Sequence, residues 1–94
     1  MKKTVTKNGK ISVTFELPAG VESDQAVVLG DFNDWSSRTP MKRRKDGSYA
    51  ATVRLDPGRY RFRYLLDGTR WENDWSADAY EPNGFGSDDS ILVV

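Results

Sequence analysis

Three features of the sequence predict an all-β fold. Apolar and polar residues alternate at the two-residue period of a half-buried strand in several separate windows. Those windows are bounded at short intervals by Pro, Gly, Asn and Asp, the residues that build turns. No window of ten or more residues carries the three-to-four spacing of an amphipathic helix. About seven short strands in a chain of 94 residues favour a two-sheet antiparallel β-sandwich of immunoglobulin-like type over a barrel.

The elements follow in order. Residues 1–9 are basic and polar and read as a flexible or edge-strand N-terminus to a single domain covering 1–94. Ile11, Val13, Phe15 and Leu17 alternate with Ser12, Thr14 and Glu16, giving a first strand over 10–17 that Pro18 and Gly20 stop. The continuous apolar run 25–30 reads as a central strand covered on both faces. It closes on Gly30-Asp31-Phe32-Asn33-Asp34-Trp35, where short polar side chains that bond nearby backbone put two aromatics on a defined turn. In that turn Phe32 can fold back as a plug over the core while Trp35 offers a flat apolar face.

A short strand within 41–45 leads to Asp46-Gly47, a hairpin signal because Gly accepts the positive φ of a tight turn. Tyr49, Ala51, Val53 and Leu55 then share one face. After Asp56-Pro57-Gly58, Tyr60, Phe62, Tyr64 and Leu66 face the core, with Arg59, Arg61, Arg63 and Leu65 on the other side. Asp67-Gly68 turns the chain toward a short extended piece at Trp71. The segment 72–87 reads as a long loop, and 91–94 as the last strand.

Composition excludes several function classes. Fourteen Lys and Arg balance fourteen Asp and Glu, so no global field draws nucleic acid or an acidic membrane surface. Cysteine is absent, which removes disulfide and thiolate chemistry, and histidine is absent, which removes the commonest general base and metal ligand. No secretory leader or membrane-spanning run is visible, and with the missing cysteines this gives the expectation of a cytoplasmic protein. No cofactor is implied.

Enzymatic and metal-binding readings have little to rest on. Glycoside hydrolysis needs two carboxylates at a set separation, and the candidates Asp31, Asp34, Asp67, Glu72, Asp74 and Asp78 occupy turn positions that Asp favours for structural reasons. Asp31 to Asp34 and Asp88-Asp89 could hold calcium through oxygens, but neither has the spacing of a twelve-residue calcium loop. The basic run Lys42-Arg43-Arg44-Lys45 reads as protection of a sheet edge rather than as a phosphate patch. The expectation is therefore a non-enzyme without a metal.

The aromatics carry more information. Tyr49, Tyr60, Phe62 and Tyr64 lie at inward strand positions, whereas Trp35, Trp71, Trp75, Tyr80 and Phe85 fall in turns and loops among Asn, Ser, Asp and Arg. A sugar ring fits that combination: its C–H faces pack on an indole and its hydroxyls bond the polar groups beside it.

With these residues assembled, the chain resembles carbohydrate-binding module family 48. That family includes the early-set domain at the N-terminus of isoamylases and branching enzymes and the glycogen-binding domain of the AMP-activated kinase β subunit. The resemblance runs from Val27 to Val94. It rests on Gly30 to Trp35, on Asp46-Gly47-Ser48-Tyr49, on Gly58-Arg59-Tyr60-Arg61-Phe62-Arg63-Tyr64 with Leu66-Asp67-Gly68, on Trp71 with Asp74, and on Asn83-Gly84-Phe85-Gly86-Ser87.

The resemblance implies an early-set sandwich that binds α-linked glucan, such as glycogen, starch or malto-oligosaccharide, without catalysis. Trp35 and Trp71 would stack on glucose rings, Arg63 and Asp89 would bond hydroxyls, and Phe85 with Ser87 would close one side. Arg63 stands where the kinase-type members carry Lys, and Asp89 where they carry Asn. The resemblance also implies an alternative, an interaction module that docks onto a glucan-metabolising enzyme of glycoside hydrolase family 13 type or another protein.

Overall fold

A computed structural model describes the chain except for Lys7, Glu22, Ser37, Arg38 and Phe85. Among the described residues nine strands form two antiparallel sheets. They are β1 (Lys2–Val5), β2 (Ile11–Leu17), β3 (Ala26–Gly30), β4 (Lys42–Arg43), β5 (Tyr49–Leu55), β6 (Arg59–Leu66), β7 (Arg70–Glu72), β8 (Ala79–Pro82) and β9 (Asp88–Val93). The first sheet runs β1-β2-β5-β4 and the second β3-β6-β9-β8, with β7 also paired to β6. The two-sheet sandwich expected from the alternation is the fold observed.

The core lies between the inward faces, where Val13, Phe15 and Leu17 of β2 meet Phe62, Tyr64 and Leu66 of β6, all buried. Phe15 meets Phe62 edge-on at 5.0 Å, and Phe62 meets Tyr64 at 5.8 Å, contacts that add to the apolar area removed from water. Each such side chain stabilises the fold by roughly 2 kcal/mol.

β6 is the organising strand of the second sheet. Its residues Phe62 to Leu66 pair with all five of β3 on one side; on the other, β9 takes Arg59 to Phe62 and β7 takes Tyr64 to Leu66. β3 is flanked on its far side by residues 39–41, through Val28 N–H to Thr39 O at 3.0 Å and Met41 N–H to Ala26 O at 2.8 Å. Since paired residues of antiparallel strands point to the same face, Arg61 shares the outward face with Ile91, and Arg63 shares it with Leu29. Leu29 and Ile91 are buried on that face.

The segment 72–87 differs from the long loop expected of it. Ala79–Pro82 forms β8, paired residue for residue with Asp88 to Ile91, so the last strand also begins at Asp88 rather than at 91. β8 carries a single charge and a terminal Pro, and its burial pattern is almost uniformly exposed, which hides its alternation. β1 lies at the edge of the first sheet, paired with β2 from Lys2↔Thr14 to Val5↔Ile11. The basic run contributes β4 at the opposite edge, with Lys42 and Arg43 exposed.

Candidate carbohydrate-binding groove

The turn after β3 separates its two aromatics, and Phe32 is the plug. Phe32 stacks on Phe15 at 5.2 Å and meets Tyr60 edge-on at 6.4 Å, closing that end of the core. Gly30 makes this possible. A Cβ there would collide with the Arg61 carbonyl oxygen, with the Phe32 ring at 2.8 Å and with Phe62 Cβ at 2.9 Å. Asn33 ties the turn down: its Oδ1 accepts from Gly30 N–H at 3.0 Å, and its Nδ2 donates to Val28 O at 3.0 Å and to Thr39 Oγ1 at 3.1 Å.

Trp35 is held outside the core by the same turn. Asp34 and Trp35 both adopt left-handed backbone, with φ of 56° and 55°. That conformation is unfavourable for a bulky residue and persists only where its surroundings fix it. Three contacts do so. Trp35 N–H donates to Gly30 O at 2.9 Å, and its indole Nε1–H donates to Asp31 Oδ1 at 3.0 Å. The other Asp31 oxygen accepts from Arg61 N–H at 2.8 Å, docking the turn on β6.

Trp71 arrives from β7, where it pairs with Leu65 on the outward face and is 45% exposed. The Arg63 guanidinium carbon sits 5.5 Å from the centre of the Trp71 ring, a cation–π contact. Trp35, Trp71, Arg61, Arg63, Pro82, Asn83 and Asp89 line one open groove of about 700 Å³.

Four of the six residues singled out in the sequence, Trp35, Arg63, Trp71 and Asp89, are thus brought to one groove. Ser87 stands at its edge, where its Oγ accepts from Asn83 Nδ2 at 2.9 Å and from Arg63 Nη1 at 3.4 Å. Phe85 lies outside the described residues. Asp89 is nearly buried and engaged, accepting from Arg61 Nη1 at 3.3 Å and Asn83 Nδ2 at 3.2 Å. Arg61 also donates to Glu81 Oε1 at 2.9 Å, and Arg59 pairs with the same carboxylate. Arg63 has no carboxylate partner among the described residues, and its Nε is buried without a hydrogen bond.

Sequence reasoning missed Arg61, Pro82 and Asn83. Arg61 could have been found, since it shares the outward face of β6 with Arg63. Asn83 and Pro82 enter only because β8 folds beside β9, a pairing the sequence pattern hides.

The loop after β7 is fixed from below. Asp74 is buried, accepts from the Tyr64 hydroxyl at 2.5 Å through Oδ2 and from Ser76 N–H at 2.7 Å through Oδ1, and donates its own N–H to Ser90 Oγ at 2.9 Å. The Tyr80 hydroxyl donates to Asp74 O at 2.5 Å, so Tyr80 packs this loop. Burial, and secondly the Asp74 charge, push the Tyr64 hydroxyl pKa far above its ordinary value, which keeps the phenol a donor. No group of three or more His, Cys, Asp or Glu able to hold a metal occurs among the described residues.

Paired indoles across an open groove edged by guanidinium, amide and carboxylate groups on a β-sandwich define a recognition module. A family model described as the glycogen recognition site of AMP-activated protein kinase matches residues 11–87, and the chain belongs to that family. It is similar to protein FLOURY ENDOSPERM 6, chloroplastic, of Oryza sativa subsp. japonica, at 29% identity over 93 residues, covering 99% of this chain and 16% of the relative. It is also similar to protein PTST homolog 2, chloroplastic, of Arabidopsis thaliana, at 24% identity over 74 residues, 77% of this chain and 13% of the relative. The chain thus spans about a sixth or less of the length of these curated relatives.

These relatives correct the expectation of a cytoplasmic protein. Both are named as chloroplastic. The expectation rested on the missing cysteines and on a polar N-terminal stretch. Neither carries compartment information for a chain matching so small a part of longer proteins.

Proposed function

We propose that this chain binds α-glucan of the glycogen or starch type and does not cleave it. The observation that carries the reading is the groove lined by half-buried Trp35 and exposed Trp71 together with Arg63, whose guanidinium lies over the Trp71 ring. The two indoles supply flat apolar faces for successive glucose rings. Arg63, with a guanidinium uncommitted to any carboxylate among the described residues, donates to ring hydroxyls. Asn83 and Ser87 sit beside it and give the groove an amide and a hydroxyl where Asp89 lacks donors.

Non-catalysis is supported by how the nearby carboxylates are used. Asp31 is spent on Trp35 and the Arg61 backbone, and Asp89 on Arg61 and Asn83. Neither is a free acid facing a free base.

The test is a titration with maltoheptaose, with cellohexaose as control, following the three indole N–H signals by NMR. Saturable shifts at Trp35 and Trp71 with the α-linked sugar alone are expected, and Trp71→Ala should weaken binding about tenfold or more, the loss of ~1.4 kcal/mol of stacking. Signals that stay put at millimolar maltoheptaose overturn the reading.

A further inference from the structure

A second exposed indole borders a different groove. Trp75 is 72% exposed, and with Leu17, Val21, Leu66, Arg70 and Glu72 it lines a cavity of about 320 Å³. The volume lies at the small end of the range for small-molecule sites. On β7 alternate side chains point to opposite faces. Trp71 faces outward over Arg63, while Arg70 and Glu72, paired with Leu66 and Tyr64, point the other way. The three residues of β7 therefore form a wall with one groove on each side. The second opens where β9 no longer flanks β6, so the ends of β2 and β6 furnish its apolar floor through Leu17 and Leu66.

We propose that the Trp75 groove is a second subsite for a glucose residue of an α-glucan, separate from the Trp35 and Trp71 groove. The inference rests on the proposed function, because it takes the polymer as ligand. The local chemistry selects a ring rather than a protein. A stable protein interface needs about 800 Å² per partner with an apolar centre. The exposed large apolar side chains among the described residues are Val5, Trp71, Trp75, Tyr80 and Val93, and of these only Trp75 borders this groove. One indole face with a cationic donor, Arg70, and a carboxylate acceptor, Glu72, matches one sugar ring and its hydroxyls. A branched polymer held at the first groove presents further chains at high local concentration, so even a weak second subsite raises total affinity.

Maltoheptaose titrations followed at the three indole N–H signals test this, in the unaltered chain and in Trp71→Ala. The expected result is a saturable Trp75 shift that persists in Trp71→Ala and is absent with cellohexaose. Trp75→Ala should keep the Trp35 and Trp71 shifts with maltoheptaose while weakening retention on glycogen about tenfold or more. A Trp75 signal that stays still while Trp35 and Trp71 move overturns the second subsite and leaves the first groove standing. A Trp75 shift that vanishes in Trp71→Ala reduces the two grooves to one continuous site and also overturns it. Equal Trp75 shifts with cellohexaose overturn the assignment to α-glucan. If no signal moves, the proposed function itself falls.

Discussion

The hydroxyl of Tyr64 donates to the buried carboxylate of Asp74 at 2.5 Å, joining the central strand of the second sheet to the loop that follows Trp71. The same carboxylate receives Ser76 N–H, and Tyr80 closes on the Asp74 carbonyl, so the loop is fixed by polar bonds inside the fold.

Replacing Tyr64 with Phe keeps the ring in the core but removes one donor from a buried carboxylate. A group left short of a partner costs about 1–3 kcal/mol. Chemical denaturation should show that loss, and the Trp71 indole signal should broaden as the loop after it loosens. The pH dependence has a definite sign. The Tyr64 pKa is raised on folding from its ordinary 10.0, so the stabilisation is complete below pH 10 and is lost as pH rises beyond it. The alkaline limb of the stability profile should flatten in Tyr64→Phe.

Gly30→Ala should destabilise by about 1–3 kcal/mol, the range for overpacking a filled site. Its backbone is extended, so the cost comes from the added methyl striking the Arg61 carbonyl and the Phe32 and Phe62 side chains. Thermal unfolding measures it. Loss of stability within a few tenths of a kcal/mol would show that β3 shifts away from β6 freely.

Asp31→Ala removes the acceptor of the Trp35 indole and of Arg61 N–H. At about 1 kcal/mol per net hydrogen bond the fold survives, but the indole loses its lock. The Trp35 N–H signal should move toward its solvent-exposed position without sugar, and maltoheptaose affinity should fall several-fold. An unmoved indole signal would place the restraint in the backbone alone.

Lys3 lies on the inward side of β1 and donates to Asp78 Oδ2 at 2.6 Å and to Val93 O at 3.1 Å, bridging the two sheets. Burial alone would raise the Asp78 pKa, but the bonds from Lys3 and from Val93 N–H, with the Lys3 charge, outweigh it and hold the pKa below its ordinary 3.8. The stabilisation is present above pH 3.8 and is lost as pH falls through the lowered value. Lys3→Ala should move the acid unfolding midpoint to higher pH; the pair is a third exposed, so the effect at neutral pH is small.

Much of the sandwich was legible because β2, β5 and β6 keep a strict two-residue alternation, with Phe15, Tyr49 and Phe62 at inward positions. Trp35 and Trp71 were legible as aromatics outside the core for the converse reason, standing among turn-formers and charges. β8 was not, since Ala79-Tyr80-Glu81-Pro82 buries no face in the core and owes its form to hydrogen bonding with β9. With β8 went Pro82 and Asn83, which reach the groove only through that pairing. The engagement of Asp89 by Arg61 was equally hidden, because it depends on register across three strands.

Trp35 is held at two points, by Gly30 O and by Asp31, and these contacts keep its left-handed backbone in place. Its ordering is complete when the chain folds, so the rim does not have to rearrange on encounter. On the proposed function, arrival of an α-glucan at this groove is governed by diffusion and orientation, and changes to the groove are expressed in how long the glucan stays.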